Sequence, residues 1–396
     1  HFPFVVELGN LGKAQLTTIL ASLSKTPHTQ QAIDKLWARS QGHPLKVKEL
    51  LRKWTDELTE QDVEVAQNTD IESIICERLA SLSSKTQKIL GTCSVLGRQF
   101  SQDSLARLSG ATDAELSQSL REALDHELLT TQNGQELEFT HERIRETLYQ
   151  TLEPSMRKRL HFKAANLTNQ CVFARAWHLE ASGKKKEAAK ANLDAARKAR
   201  SEFAFSQAEE LYRSSLKSQA QIEQEEQKKA LFELADILFR QGKFEASIST
   251  YQSLLEDESA SNEKAVILGK MGYVWQCLAR YKDALLGYEQ ALKALHKPLP
   301  GTRSRLWVDL IFTGGSLLLD SINPRLIKRE AKPQDIFILD LLFRYTFLAW
   351  DLDVEKCLWA NFWGVQLASR LKSSPEVAGN YACHGVLCGN LGLSAR

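Results

Sequence analysis

The feature that most constrains this chain is a residue pattern that recurs three times in register. It runs Phe205, Ala208, Tyr212, Leu216, then Phe244, Ser247, Tyr251, Leu255, then Tyr281, Ala284, Tyr288, Leu292. Spacings of three and four place each set on one helix face, and the small residue lets a paired helix approach closely. The sets are offset by 39 and 37 residues, the length of a two-helix unit with slightly long loops. A single helix pair cannot bury its apolar face, so the pattern requires stacking into an α-solenoid and assigns these residues to packing rather than chemistry. Gly242-Lys243 marks the turn inside one hairpin, and Gly183-Lys184 that of an earlier one.

The expected fold class is therefore mostly α, with a helical linker and a winged-helix domain ahead of tetratricopeptide-like repeats. Residues 4–8 read as a brief strand, and helices are expected over 15–23, 28–39 and 45–58. Gly42-His43-Pro44 breaks the last two, since Gly42 permits a tight turn and Pro44 fixes φ. From Ile71 the organisation changes. Helices are expected over 71–79, from Ser83 through Leu96, over 104–108 and over 113–124, the last opened by a Thr112 and Glu115 capping box. Strands 128–132 and 136–140 flank Asn133-Gly134, a strong hairpin signal. His141 then opens an amphipathic helix, Glu153-Pro154 opens a basic one, and Pro298-Leu299-Pro300-Gly301 separates the regular repeats from less regular helices. The domains expected are 1–66, a helical segment; 67–152, the winged helix; 153–297, the repeats; and 298–396, further irregular helices.

Composition narrows the class. Of 396 residues, 43% are apolar and 25% charged, values of a globular protein rather than a disordered one. The net charge of +2 gives no bulk attraction to nucleic acid, and the candidate recognition helix at 113–126 carries four acidic residues against one arginine, which argues against DNA. No run approaches the ~18 apolar residues of a membrane span, and a cytoplasmic location without membrane contact is expected. The seven cysteines are scattered and read as reduced, mostly buried thiols. Cys383, His384 and Cys388 suggest a metal but lack a fourth ligand at a recognised spacing, so packing is the stronger reading. Trp350, Trp359 and Trp363 could form a ligand-binding face, but aromatic packing is the stronger reading.

No catalytic set is legible. Gly9-Asn10-Leu11-Gly12-Lys13 has neither the gap between glycines nor the hydroxyl residue of a phosphate loop, and reads as a turn. No GxxxxGK[ST] element, HExxH motif or recognisable nucleophile arrangement occurs. Both ends read as cut from a longer polypeptide.

Two segments carry a family resemblance. Ser40-Gln41-Gly42-His43-Pro44-Leu45 and the helix after it are similar to the Gly-x-Pro segment of AAA-related signal-transduction ATPases of the STAND type. Phe139-Thr140-His141-Glu142-Arg143 resembles that family's Met-His-Asp segment, with Thr140 in place of Met and Glu142 in place of Asp. Within the family, the order of segments is most similar to large bacterial ATPases fused to adenylate or guanylate cyclase or protein-kinase domains. The resemblance implies that Pro44 packs near the adenine and that His141 touches the β-phosphate of ADP, with ATP or ADP and magnesium belonging to the parent protein and no cofactor to this chain alone. It also implies that residues 1–66 are the end of an ATPase module, with an ATPase core of the same polypeptide as partner, a protein or small-molecule signal on the repeats, and self-association. Taken by the residues alone, a helix cap is the stronger reading of His141 and a plain connector that of Gly42-His43-Pro44. Arg143 and Arg145 are expected to add positive potential beside His141.

Overall fold

In the computed structural model the described residues are 10–23, 30–44, 46–48, 71–132, 136–167, 171–217, 222–256, 261–322 and 328–392. The expected strand at 4–8, most of the helix at 45–58 and the Asn133-Gly134 turn lie outside them. The chain divides into two compact units, 1–184 and 185–396.

The first unit begins with α1 (Lys13–Leu23) and α2 (Gln30–Ser40), which bury Leu16, Ile33, Leu36 and Val47. There follow α3 (Ile71–Ala80), α4 (Ser84–Leu96), β1 (Gln99–Ser101), α5 (Gln102–Ser109), α6 (Asp113–Asp125), β2 (Leu129–Gln132), β3 (Glu136–Phe139) and α7 (Glu142–Thr151). The capping box is present, with Thr112 accepting from the Glu115 N–H and Glu115 reaching back. A second carboxylate, Glu122, accepts from the Ser83 N–H (2.7 Å), its hydroxyl (2.9 Å) and the Thr86 hydroxyl (2.5 Å), which holds its pKa down. Acidic residues of α6 thus serve its own start and that of α4. The sheet has order β1-β3-β2 and is antiparallel throughout. Its strand β1 falls between the helices expected to end at Leu96 and to begin at 104, where the sequence predicts no element. The hairpin of α8 (Pro154–Leu167) and α9 (Val172–Ser182) belongs to this unit, because Leu160 and Ala164 join Val95 and Leu108 in one buried cluster.

The second unit is the helical stack. Its elements are α10 (Lys185–Ser201), α11 (Phe205–Leu216), α12 (Gln224–Arg240), α13 (Phe244–Glu256), α14 (Ser261–Cys277) and α15 (Tyr281–Ala294). After them come α16 (Arg303–Ile322), α17 (Pro333–Ala349), α18 (Val354–Ala368) and α19 (Pro375–Asn390). Helices pair as α10 with α11, α12 with α13, α14 with α15, and α17 with α18, and neighbouring pairs stack through α11 on α12, α13 on α14, and α15 on α17. The second aromatic of each set, Tyr212, Tyr251 or Tyr288, is fully buried and donates its hydroxyl to a polar group on a paired or stacked helix: Tyr212 to Glu233 (3.1 Å), Tyr251 to Asp236 (2.6 Å), Tyr288 to Gln276 (2.8 Å). The small position works as expected at Ala208, Ser247 and Ala284, all at 0% exposure, with Ser247 Oγ donating to the Ala235 carbonyl. The leading aromatic does not. Tyr281 is 46% exposed and Phe205 and Phe244 only half-buried, because each opens its helix beside the hairpin turn, where solvent reaches it.

Those turns share one geometry. Two residues before each second helix a left-handed residue ends the first: Phe203 (φ 62), Gly242 (φ 75) and Ala279 (φ 56). The next residue's N–H donates back to Ala199, Leu238 and Trp275 respectively, closing the same cap. Only Gly242 takes this conformation without a Cβ penalty, which is ~1–2 kcal/mol per residue. Phe203→Gly and Ala279→Gly are therefore expected to stabilise the repeat unit by roughly 1 kcal/mol each, read as a rise in urea midpoint. A fall in midpoint for both would show the turns to be unstrained.

Pro298–Gly301 interrupts the helices but not the core. Tyr288 and Leu292 before it share one cluster with Leu342, Tyr345 and Trp359 after it, so the carboxyl helices continue the stack, and Trp359 packs on Trp363 as expected (5.1 Å). The cysteines are all free. Cys93 and Cys357 are buried, but Cys76, Cys171 and Cys277 are exposed, against the expectation of mostly buried thiols. Cys171 precedes α9 as its N-cap and Cys277 is the last residue of α14, so both lie at helix ends that solvent reaches.

Candidate functional site

The Gly42-His43-Pro44 turn is held from two sides. The Gly42 N–H donates to Ser40 Oγ (3.1 Å), and the His43 carbonyl accepts from the Val47 N–H (3.0 Å), so a helix restarts with Pro44 in its first turn, where the missing N–H costs nothing. Gly42 has φ 72 and is pressed on the Leu11 backbone so closely that any Cβ would collide with the Leu11 carbonyl. The Leu11 N–H donates to the Gly42 carbonyl (2.7 Å). Two turns that the sequence singled out separately, at residues 10–13 and 42–44, thus form one structure. Lys13 pairs with Asp34 (2.8 Å) and lies over the Trp37 ring. Pro44 is exposed and His43 half-buried; among the described residues, buried His43 Nδ1 has no hydrogen-bond partner.

His141 caps α7. Its backbone is extended, and its Nδ1 accepts from the Arg143 N–H (3.2 Å). An accepting Nδ1 puts the proton of the neutral ring on Nε2, which leaves that N–H as an outward donor. Burial lowers the His141 pKa first, then the charges of Arg98, His43 and Lys48, against a smaller opposing effect of Glu142. The charges from the Gly-His-Pro turn and its helix therefore act at the head of α7, so the two segments lie near each other although far apart in sequence. Both cations have a carboxylate beside them: Arg98 pairs with Glu138 (2.7 Å) and Lys48 stands 3.9 Å from Glu127.

Two expectations change in detail. Arg143 and Arg145 are bound to Glu146 (3.0 Å) and Glu142 (2.6 Å), and Arg145 also donates to the Ser94 carbonyl. Both pairs lie within α7, and of these bonds only that of Arg145 to Ser94 ties it to α4, while Arg98, His43 and Lys48 supply the potential at His141. Thr140, standing for the family's methionine, fastens the end of β3: its hydroxyl donates to the Glu127 carbonyl (2.8 Å) and its N–H to that of Leu128 (3.1 Å).

On the second unit, a cleft of about 400 Å³ lies between α12 and α14, with Phe232, Leu254, Val266 and Ile267 as its apolar floor and Glu225 and Lys228 on its rim. Helix α16 carries Ile311, Phe312, Leu318 and Leu319 at 68–76% exposure. Among the described residues there is no cluster of three metal-ligating side chains, and no helix is long and apolar enough to cross a membrane.

No protein-family model and no curated protein matches this chain. Among solved structures the chain is similar to the crystal structure of a Signal Transduction ATPase with Numerous Domains (STAND) protein with a tetratricopeptide repeat sensor from Pyrococcus horikoshii, with a TM-score of 0.40 and 14% identity over 97% of this chain and 54% of that one. The chain spans about half the length of that protein.

Proposed function

We propose that this chain is the regulatory and signal-receiving region of a multidomain, cytoplasmic signal-transduction ATPase. In this reading the helices and sheet of the first unit are a winged helix that packs on a nucleotide-binding core of the same polypeptide. His141 and Pro44 monitor ADP, and the helical repeats receive a protein or small-molecule signal, which is relayed to an output domain such as a nucleotide cyclase. The observation that carries it is the convergence at His141. A cap fixes the ring with Nε2–H outward, in a field of Arg98, His43 and Lys48, and the unpartnered His43 Nδ1 lies on the neighbouring turn. A neutral imidazole donor beside basic groups suits a diphosphate oxygen, and the helix start adds backbone donors. Exposed Pro44 offers a flat apolar ring for the adenine. Magnesium, carried with the nucleotide, belongs to the core. For the signal, the cleft between α12 and α14 and the apolar face of α16 are the surfaces that support a partner.

The test is ADP affinity in the longer polypeptide that includes the core. His141→Ala removes a hydrogen bond to a charged group, which is worth about 1.5–3 kcal/mol, so ADP should bind about 10- to 100-fold more weakly. Affinity unchanged by the substitution would remove His141 from the site and leave the chain as a helical-repeat scaffold without nucleotide sensing.

A further inference from the structure

The sequence offers Cys388 and His384 one helical turn apart on α19, and the structure adds a third group from a different helix. Asn361 on α18, 2% exposed, places its Oδ1 2.6 Å from His384 Nδ1. A carbonyl oxygen only accepts, so the ring proton sits on Nδ1 and Nε2 presents a bare lone pair. That lone pair faces Cys388 Sγ at 3.6 Å. Burial lowers the His384 pKa, which keeps the ring in its basic form at neutral pH, and the edge contact with Phe362 (5.9 Å) limits its rotation. Cys388 itself is half-buried, within reach of a small molecule. Nucleophile, base and orienter are thus in hydrogen-bonding sequence, the arrangement that activates a thiol. The contrast is Cys357: fully buried, its S–H donates to the Thr346 carbonyl, and burial pushes its pKa up to about 12.

We propose that Cys388 is a covalent modification site for α,β-unsaturated carbonyl compounds, with His384 as its general base and Asn361 as the positioning residue. The Cys388 thiol proton passes to His384 Nε2 while the sulfur lone pair forms a bond to the β-carbon. The carbon–carbon π pair moves to give an enolate, which takes the proton back from the imidazolium at the α-carbon. The product is a thioether, and no oxidant or reductant is needed.

The experiment labels the intact chain with limiting N-ethylmaleimide, a cyclic α,β-unsaturated imide, at pH 7 and follows each cysteine by peptide mass mapping. General-base assistance predicts that Cys388 reacts at least ~10-fold faster than the exposed Cys171 and Cys277. His384→Gln should bring Cys388 down to their rate while leaving theirs unchanged. In the unsubstituted protein, nitrogen NMR shifts of His384 should show a protonated Nδ1 and a bare Nε2. Equal rates for the three cysteines, a Cys388 rate indifferent to His384→Gln, or the opposite tautomer would each overturn the proposal. If the variant misfolds, which labelling of Cys93 and Cys357 would reveal, the pH profile of the unsubstituted protein decides. Its Cys388 rate should fall away on acidification along the NMR titration of His384, and a profile that ignores that titration refutes the base.

Discussion

Tyr251→Ala is expected to destabilise the repeat unit by about 3–5 kcal/mol, the range for emptying a buried aromatic site. The ring is 1% exposed, stacks edge-on against Phe232 at 5.6 Å, and sits among Ala235, Ile248, Ile267 and Met271. These residues come from α12, α13 and α14, so the cavity would open at the junction of two stacked helix pairs, where no single helix can shift to fill it. Tyr251→Phe separates the ring from its hydroxyl. The phenol loses its bond to Asp236, but Asp236 keeps the Lys270 ammonium at 3.0 Å, so the loss should be only about 1 kcal/mol. Urea unfolding with hydrogen exchange of the α12 to α14 amides measures both. If the two variants lose the same amount, the ring does not hold the stack together and the hydroxyl alone matters.

That tyrosine was legible because its neighbours three and four positions away repeat at a fixed offset, and periodicity survives without knowledge of tertiary contacts. Its hydrogen-bond acceptor was not legible. Asp236 lies on the paired helix, and a polar residue inside a helical pattern reads as solvent-facing until the pairing is known. The same limit hid Asn361 from Cys388 and His384, so that a nucleophile with its base looked like two residues of a packed helix. Strand β1 escaped for a different reason: three residues, Gln99–Ser101, are too few to show alternation, and their partner β3 is remote in sequence. At His141, the cap and the helix were visible in the order of residues. The charges that act on it were not, because Arg98, His43 and Lys48 come from two other segments.

The first unit should lose stability on mild acidification through a buried histidine pair. His161 on α8 and His178 on α9 are 0% and 2% exposed, with their Nδ1 atoms 2.9 Å apart. One neutral ring must donate there and the other accept. His161 Nε2 continues the chain to the Tyr149 hydroxyl (2.9 Å), the Arg157 guanidinium covers the Tyr149 ring, and Trp177 packs edge-on against both imidazoles. The surrounding charge is therefore positive, and no carboxylate is among these neighbours. Burial, then Arg157 at His161 and His161 at His178, lowers each pKa to about 4. A proton on both rings would turn two N–H groups against each other. Because the folded pKa values lie below the ordinary ~6.5 of the unfolded chain, the unfolded state binds more protons between about pH 6.5 and 4. Stability is thus at its full value above that window and falls as the pH drops through it, by on the order of 3 kcal/mol for the coupled pair. His178→Gln, whose amide can still donate or accept, should flatten the decline. Proton NMR titration of the two rings together with urea midpoints at pH 7.5 and 4.5 measures the effect. Rings that titrate near 6.5, or a decline as steep in the variant as in the parent, would place the acid sensitivity elsewhere in the unit.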